Sequence, residues 1–162
     1  MAGISIRGLS KSYGGDTSLA AVADLSLDIA DGQFVTLLGP SGSGKTTLLK
    51  HLNGLLKPET GEILLEQKSL AKYSSKQVFQ KVGIVFQDPN DQLFAPSVKE
   101  DVAFGPLNLG LSKDEIARRV DEALSLVDMG LYANKTVEAL SFGQRKRVCI
   151  AGVLAMKPEI LV

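Results

Sequence analysis

The octapeptide Gly39–Thr46, GPSGSGKT, decides the fold of this chain. It fits the pattern G-x-x-x-x-G-K-[ST], in which a glycine-rich loop turns its backbone N–H groups around an anion and leads directly into a helix. The helix N-terminus adds partial positive charge and unpaired donors, and Lys45 adds a full charge. The stretch therefore predicts a loop that binds nucleotide phosphates, with Lys45 on the β- and γ-phosphates and the Thr46 hydroxyl on Mg²⁺.

The flanks of the octapeptide support this interpretation. Phe34–Leu38 is a short apolar run rich in strand-forming residues, and it ends where the octapeptide begins. Beyond Thr46 the leucines recur at helical spacing until Gly54 and Pro58, which are typical of a helix end. A glycine-rich turn with an unrelated lysine is the alternative, and the order of strand, loop and helix disfavours it.

The composition limits the class of protein. The chain has 162 residues, of which 44% are hydrophobic, enough for one globular domain with a core. Lys+Arg and Asp+Glu both number 18, and this zero net charge argues against a nucleic-acid-binding surface. The single cysteine excludes a disulfide within the chain and fits a reducing compartment. No apolar run approaches the ~20 residues that span a bilayer. We therefore expect a soluble, cytoplasmic protein that can dock on a membrane protein.

The hydrophobic pattern predicts a mixed α/β chain. Apolar residues alternate with polar ones in strands within residues 4–31, and residues 61–66 form another strand candidate. A short helix is expected at residues 74–80, followed by a buried parallel strand at Val82–Phe86. The predicted fold class is thus α/β, a P-loop NTPase core with an N-terminal antiparallel β region.

Capping patterns predict two further helices. Ser112–Glu115 has the form of a capping box, and Ser141–Gln144 has the same form ahead of a helix that is apolar nearly all round. Prolines break the section before Ser112, so we expect a helical insertion at about residues 88–140. The sequence stops within an apolar strand at Ile160–Val162, from which we expect it to be part of a longer protein.

Other residues are open to two interpretations each. The amide of Gln87, at the end of a predicted strand, could ligate Mg²⁺ and orient water, or simply be solvated. Leu140–Gln144 could form a second anion site at a helix N-terminus or serve only as a helix cap. Tyr13 could stack on a nucleotide base or be an ordinary turn tyrosine, and His51 is expected to be solvated or at the edge of the core.

Three segments, in this order, resemble the ATP-binding subunits of ABC transporters: the P-loop, Gln87 and the pentapeptide LSFGQ at residues 140–144. In that family they are the Walker A motif, the Q-loop and the signature. The likeness is closest to the energy-coupling-factor and cobalt/nickel branch, through residues 83–94, 102–108 and 147–156. It extends over essentially the whole chain.

The resemblance implies a working arrangement. Two nucleotide-binding domains close head to tail on two ATP molecules with Mg²⁺, each ATP lying between the Walker A motif of one subunit and the signature of the other. The second ATP-binding subunit is identical or different. An integral membrane subunit docks near the Q-loop and helical region, which places the protein peripherally on the cytoplasmic face of the membrane. The cargo is a metal ion, such as cobalt or nickel, or a vitamin, and nucleic acid has no part.

The resemblance also implies roles for individual residues. Those expected to bind nucleotide are Tyr13, Gly39, Pro40, Ser41, Gly42, Ser43, Gly44, Lys45, Thr46, Thr47 and Gln87. Thr46 and Gln87 are expected to hold Mg²⁺, and Gln87 also to position the attacking water. The signature residues expected to contact the ATP of the partner subunit are Ser141, Phe142, Gly143 and Gln144.

Two departures from the family pattern stand out. Phe142 replaces the usual signature glycine. The Walker B aspartate, the catalytic glutamate and the switch histidine are not among these 162 residues. We therefore expect this chain to keep ATP-binding parts and to lack turnover by itself. The expected division is a RecA-like core at about residues 1–87 and 141–162 and a helical subdomain at about residues 88–140.

Two other functions remain to be weighed. One is a nucleotide-binding module of ABC type without transport, or a pseudo-ATPase. Neutral charge and the cobalt-type Q-loop argue against it. The other is a different P-loop enzyme, such as a GTPase or a small-molecule kinase, and the signature pentapeptide argues against that.

Overall fold

The computed structural model describes residues 3–14 and 20–162, and the contacts divide the chain into two units. The first unit comprises residues 1–82 with Val162, and the second comprises residues 83–161. The RecA-like core and helical subdomain expected from the sequence, with boundaries near residues 87 and 141, stay a prediction. Part of the predicted turn after Tyr13 lies outside the described residues.

The first unit contains an antiparallel sheet of four strands. The strands stand in the order β2-β1-β3-β4. Their bounds are Ile4–Ser12 for β1, Ala20–Ile29 for β2, Thr60–Leu65 for β3 and Lys68–Ser69 for β4. The predicted antiparallel β region is therefore confirmed.

The central strand β1 is buried because its apolar residues lie between two neighbours. Ile6 pairs with Leu27 of β2 on one side and with Ile63 of β3 on the other, and it is fully buried. Gly61 allows β3 to approach this strand closely. Its φ is +78°, and a Cβ there would lie 2.3 Å from the carbonyl oxygen of Arg7, so only glycine fits.

Two helices and a short 3₁₀ turn complete the first unit. Helix α1 covers Lys45–Leu52, α2 covers Ser75–Lys81, and the 3₁₀ turn covers Leu70–Lys72. The prediction for His51 was wrong, because this side chain is fully buried and its Nδ1 lies 2.7 Å from the Thr47 carbonyl oxygen.

The strand predicted at Phe34–Leu38 does not form. These residues join no strand ladder, and Phe34 and Leu38 are 96% and 89% exposed. A strand exists through hydrogen bonds to a neighbour, and no other strand of the described residues pairs with this run. For the same reason only Val82–Gly83 of the strand predicted at Val82–Phe86 is formed.

The second unit is built around three helices. They are α3, Val98–Leu109, α4, Lys113–Leu126, and α5, Phe142–Ala155. Short 3₁₀ turns lie at Pro89–Asp91, Gly130–Tyr132 and Val137–Ala139. A short β5, Val82–Gly83, pairs with β6, Ile160–Leu161. The helices bury a common core that includes Val98, Val102, Ile116, Val120, Leu124, Met129, Leu140, Val148 and Ala151.

Helix α4 begins as predicted but uses half of the predicted capping box. Ser112 Oγ accepts a hydrogen bond from the Glu115 N–H at 3.3 Å. The Glu115 carboxylate instead pairs with Arg119 Nε at 2.6 Å and with Arg118 Nη2 at 2.7 Å. Hydrogen bonds from Arg119 and then Arg118 lower the pKa of Glu115 to about 2. Arg119 also donates to the Ala155 carbonyl at 3.3 Å, which links α4 to the end of α5.

Candidate nucleotide-binding site

The P-loop ends in a helix start that is open to an anion. Gly44, the N-cap of α1, has φ of +83°, and no side chain caps the helix or adds negative charge in its first turn. A Cβ at Gly44 would lie 2.0 Å from the Ala21 carbonyl oxygen, so the loop can press against β2 only with glycine here. No side chain therefore caps the first N–H groups of α1, and their binding of a phosphate stays a prediction.

The Lys45 side chain folds back and bonds other residues of the P-loop. Its Nζ donates hydrogen bonds to the carbonyl oxygens of Gly39 and Pro40, at 2.9 and 2.7 Å, and to Ser43 Oγ at 3.2 Å. All three partners are neutral oxygens of the loop itself. Phosphate oxygens are stronger acceptors for such a group than carbonyls are.

A hollow of about 600 Å³ lies between the P-loop and β2. That volume is within the range of small-molecule sites, which combine apolar walls with a few convergent polar groups. The apolar wall and the loop residues that line it include Val22, Leu25, Leu48, Gly39, Ser43 and Lys45.

Tyr13 lies beside helix α1. Its hydroxyl is 3.5 Å from Thr47 Oγ1, its side chain is largely exposed, and Lys11 Nζ lies 5.6 Å from the ring centroid. The structure thus brings together Tyr13 and Thr47, two residues that the resemblance placed in one site. Stacking of the Tyr13 ring on a base stays a prediction.

The residues of the P-loop fit a magnesium nucleotide. Gly42 has φ of +79° with open space around it, so the backbone there can face a bulky anion. Thr46 is exposed at the second residue of α1, where its hydroxyl is free to reach a hard cation. Magnesium, when bound with the nucleotide, neutralises developing charge on the phosphates. In the described residues no group of three or more acidic, histidine or cysteine side chains could hold a metal by itself.

In the second unit, the loop that carries Gln87 is tied to α5. Gln87 is exposed. Lys146 of α5 donates to the Gln87 carbonyl at 3.0 Å and also to the Phe86 carbonyl. Gln92 accepts from the Phe86 N–H at 2.9 Å and donates to the Cys149 carbonyl at 3.0 Å.

Two more charged side chains hold the rest of this loop. Arg145 Nη1 donates to Asn90 Oδ1 at 2.9 Å. Asp101 of α3 is buried, and its Oδ2 accepts from the N–H groups of Phe94 and Ala95, both at 2.9 Å. Sequence reasoning missed all these contacts. The contacts with α5 join residues 55 to 60 positions apart in sequence, so no local pattern relates those partners.

The signature segment begins α5 with a complete capping box. Ser141 Oγ accepts from the Gln144 N–H at 3.3 Å, and Gln144 Oε1 accepts from the Ser141 N–H at 2.9 Å. The predicted cap is confirmed. Phe142 is 61% exposed and Gly143 is exposed, so the first turn of the helix faces outward. The predicted contact with the ATP of a partner subunit stays a prediction.

The cysteine of α5 is expected to be unreactive. Cys149 is fully buried, and desolvation raises the pKa of its thiol to about 11. Because the thiolate is the reactive form, this residue contributes packing and a backbone carbonyl rather than nucleophilic chemistry.

These features define a P-loop protein of the α/β class, with the glycine-rich loop in one unit and a capped signature helix in the other. The described residues contain no helix that is long and apolar enough to cross a membrane. The model of the ABC transporter family matches residues 22–162. The chain belongs to the ABC transporter family, as its sequence motifs predicted.

Curated relatives narrow the family branch. The chain is 50% identical over 161 residues to the energy-coupling factor transporter ATP-binding protein EcfA of Methanothermobacter thermautotrophicus, covering 98% of this chain and 51% of that protein. It is 53% identical over 146 residues to the EcfA protein of Methanocaldococcus jannaschii, covering 88% and 52%. The chain thus spans about half the length of these relatives.

Solved structures confirm the fold. CbiO1 from Clostridium perfringens, part of the ABC transporter complex CbiONQ, matches with a TM-score of 0.84 and 42% identity over 98% of this chain and 63% of that one. The dimeric cassette MJ0796 bound to ADP and Pi matches with a TM-score of 0.85 and 30% identity, covering 98% and 72%. The predicted P-loop NTPase fold is therefore confirmed.

Proposed function

We propose that this protein is the ATP-binding subunit of an ABC importer of the energy-coupling-factor type. It would couple ATP binding and hydrolysis to uptake of a metal ion, such as cobalt or nickel, or of a vitamin. The observation that carries the proposal is the open N-terminus of α1 with the Lys45 ammonium at the mouth of the P-loop, in a chain 50% identical to an EcfA protein.

In this proposal the P-loop residues bind the triphosphate. The backbone of residues 39–47 and the Lys45 ammonium hold the phosphates, and the Thr46 hydroxyl together with Gln87 holds Mg²⁺. Tyr13 presents its exposed ring to the base. Two observations support these roles. The first turn of α1 has no side-chain cap, and the hydrogen bonds of Lys45 to described residues go to neutral oxygens of the loop.

A second ATP-binding subunit completes the site. The outward-facing start of α5, Ser141–Gln144, contacts the nucleotide held by that subunit's P-loop. The dimeric architecture of the similar cassette MJ0796 supports this arrangement. The catalytic glutamate expected of an ABC ATPase is not among these 162 residues. By itself, the chain described here binds ATP without turning it over.

An integral membrane subunit docks on the second unit, which makes the protein peripheral to the cytoplasmic face of the membrane. The supporting observation is an exposed aromatic pair beside the Gln87 loop. Phe94 and Phe104 are both exposed, and their rings meet edge to face with centroids 4.5 Å apart. Aromatic side chains of this kind are enriched at the centres of protein interfaces.

The proposal is tested first at Lys45. We predict that Lys45→Ala weakens ATP binding by about 10- to 100-fold, because each hydrogen bond from a charged group contributes roughly 1.5–3 kcal/mol and 1.4 kcal/mol is tenfold in affinity. Isothermal titration with ATP and Mg²⁺ measures the dissociation constant. Lys50→Ala, in the last turn of the same helix, is the matched control and should leave it unchanged.

Two results would overturn the proposal. One is a folded wild-type chain that binds no ATP. The other is an equal loss of affinity in the Lys45 and Lys50 variants, which would assign the effect to general charge rather than to the loop.

A further inference from the structure

The backbone of Phe86 is held by side chains rather than by a neighbouring strand. Its N–H donates to Gln92 Oε1 at 2.9 Å, and its carbonyl accepts from Lys146. The next carbonyl, of Gln87, accepts from the same ammonium at 3.0 Å. The ladder of β5 ends at Gly83, so these bonds replace the sheet as the support of the Gln87 loop.

Both supports end on helix α5. Lys146 belongs to that helix, and Gln92 donates its other hydrogen bond to the Cys149 carbonyl at 3.0 Å. Arg145, one residue before Lys146, adds a third tie through Asn90 Oδ1 at 2.9 Å. The same helix begins with the capping box of the signature segment, Ser141–Gln144. The loop and the signature segment therefore share one rigid element.

Lys146 is the strongest of these ties. It is half-buried, and the acceptors found for its ammonium are two adjacent backbone carbonyls. Hydrogen bonds from charged donors are about twice as strong as neutral ones. One charged group that bridges two successive carbonyls also fixes the direction of the peptide between them, and hence the position of the Gln87 backbone.

We propose that Lys146 is a positioning residue that holds the Gln87 loop on helix α5, with Gln92 as a second tie, so that Gln87 and the signature segment move as one body. The inference deepens the proposed function and rests on it. In this role Lys146 acts through the backbone of Gln87 and not directly on nucleotide or metal.

The first test needs no nucleotide. Hydrogen–deuterium exchange of the Phe86 amide, followed by NMR on the chain described here, reports how often the loop leaves α5. We expect Lys146→Met to accelerate this exchange about tenfold, the factor that corresponds to 1.4 kcal/mol. Lys146→Arg keeps a charged donor and should restore most of the protection. Lys99→Met, at an exposed lysine of α3, is the matched control and should exchange like the wild type.

The second test is ATP turnover of the assembled transporter. We expect Lys146→Met to lower kcat about tenfold while KM and the dissociation constant for ATP stay within about twofold, with rescue by Lys146→Arg. Gln92→Met, which removes the second tie, should act in the same direction if the Lys146 variant folds poorly.

The outcomes separate the two proposals. If the hydrogen–deuterium exchange rate of the Phe86 amide is unchanged in both the Lys146 and the Gln92 variants, these side chains do not hold the Gln87 loop on α5 and the proposal is wrong. A parallel loss of kcat and of ATP affinity overturns the positioning role, because it places Lys146 in nucleotide binding or in general stability. A wild-type protein that binds no ATP overturns the proposed function, and the exchange experiment alone then decides whether the tie exists.

Discussion

The P-loop of the first unit and the Gln87 loop of the second unit are held in different ways. The P-loop is shaped by its own atoms: Lys45 bonds carbonyls five and six residues away, and Gly44 turns the backbone into the helix. The Gln87 loop is held by side chains from elsewhere in the second unit, with Lys146 acting across 59 residues. We therefore expect the P-loop to be sensitive to substitutions within its own sequence. The Gln87 loop should in addition be sensitive to substitutions of the distant side chains that bond its backbone.

The largest expected effect is within the P-loop. Gly44→Ala adds a Cβ 2.0 Å from a carbonyl oxygen at a φ of +83°, so we predict a loss of stability of about 3 kcal/mol or more. Gly42→Ala has a similar φ, +79°, but meets nothing within 4 Å, and we predict a loss of about 1 kcal/mol. Urea denaturation measures both. Equal losses would show that strain in φ, and not close approach to β2, sets the requirement for glycine.

A somewhat smaller effect is expected where α3 holds the other loop. Asp101→Ala removes the acceptor of two partly buried N–H groups. We predict a loss of about 1–3 kcal/mol, since an unpaired buried donor costs roughly 1–3 kcal/mol and these two donors are only partly buried. Asp101→Asn keeps one acceptor oxygen and should lose about half as much. Denaturation followed by far-UV circular dichroism measures both. If alanine and asparagine behave alike, the two hydrogen bonds from Phe94 and Ala95 do not support the loop.

The smallest expected effect depends on pH. It concerns Glu115, which pairs with Arg118 and Arg119 on α4, the latter of which also bonds the end of α5. The pKa of Glu115 falls from its ordinary 4.5 to about 2 through its bonds to Arg119 and Arg118. Its contribution to stability is therefore complete above pH 4.5 and is lost as the pH falls from about 4.5 to 2. Denaturation midpoints at pH 6 and pH 3 should differ less in Glu115→Gln than in the wild type. A variant with the full wild-type difference would assign the acid sensitivity to other carboxylates.

Sequence reasoning succeeded where the structure is local. The caps at Ser112 and Ser141 and the antiparallel strands depend on contacts within a few residues or on strict alternation. Both kinds of pattern are visible in a sequence. It failed at Phe34–Leu38, because a strand needs a neighbour that its own residues do not specify. The four-residue capping pattern also did not predict that the Glu115 side chain pairs with Arg118 and Arg119 instead of completing the capping box.

The candidate site divides along the same line. Phosphate binding by the P-loop stays a prediction, and one octapeptide is enough to make it. The support of Gln87 could not be predicted, because Lys146, Gln92 and Asp101 have ordinary local sequences and become partners of the loop only after α3 and α5 have packed. Burial of His51 was missed for a related reason: the spacing of residues within α1 does not show which of its faces the rest of the first unit covers.

The lone cysteine has a practical consequence for redox chemistry and labelling. With its thiol buried and its pKa raised to about 11, Cys149 stays out of reach of peroxide and alkylating reagents while α5 is packed. Its own carbonyl is one anchor of the Gln87 loop. Alkylation of Cys149 can therefore be used to measure how often α5 unpacks, because the thiol reacts only when the helix exposes it.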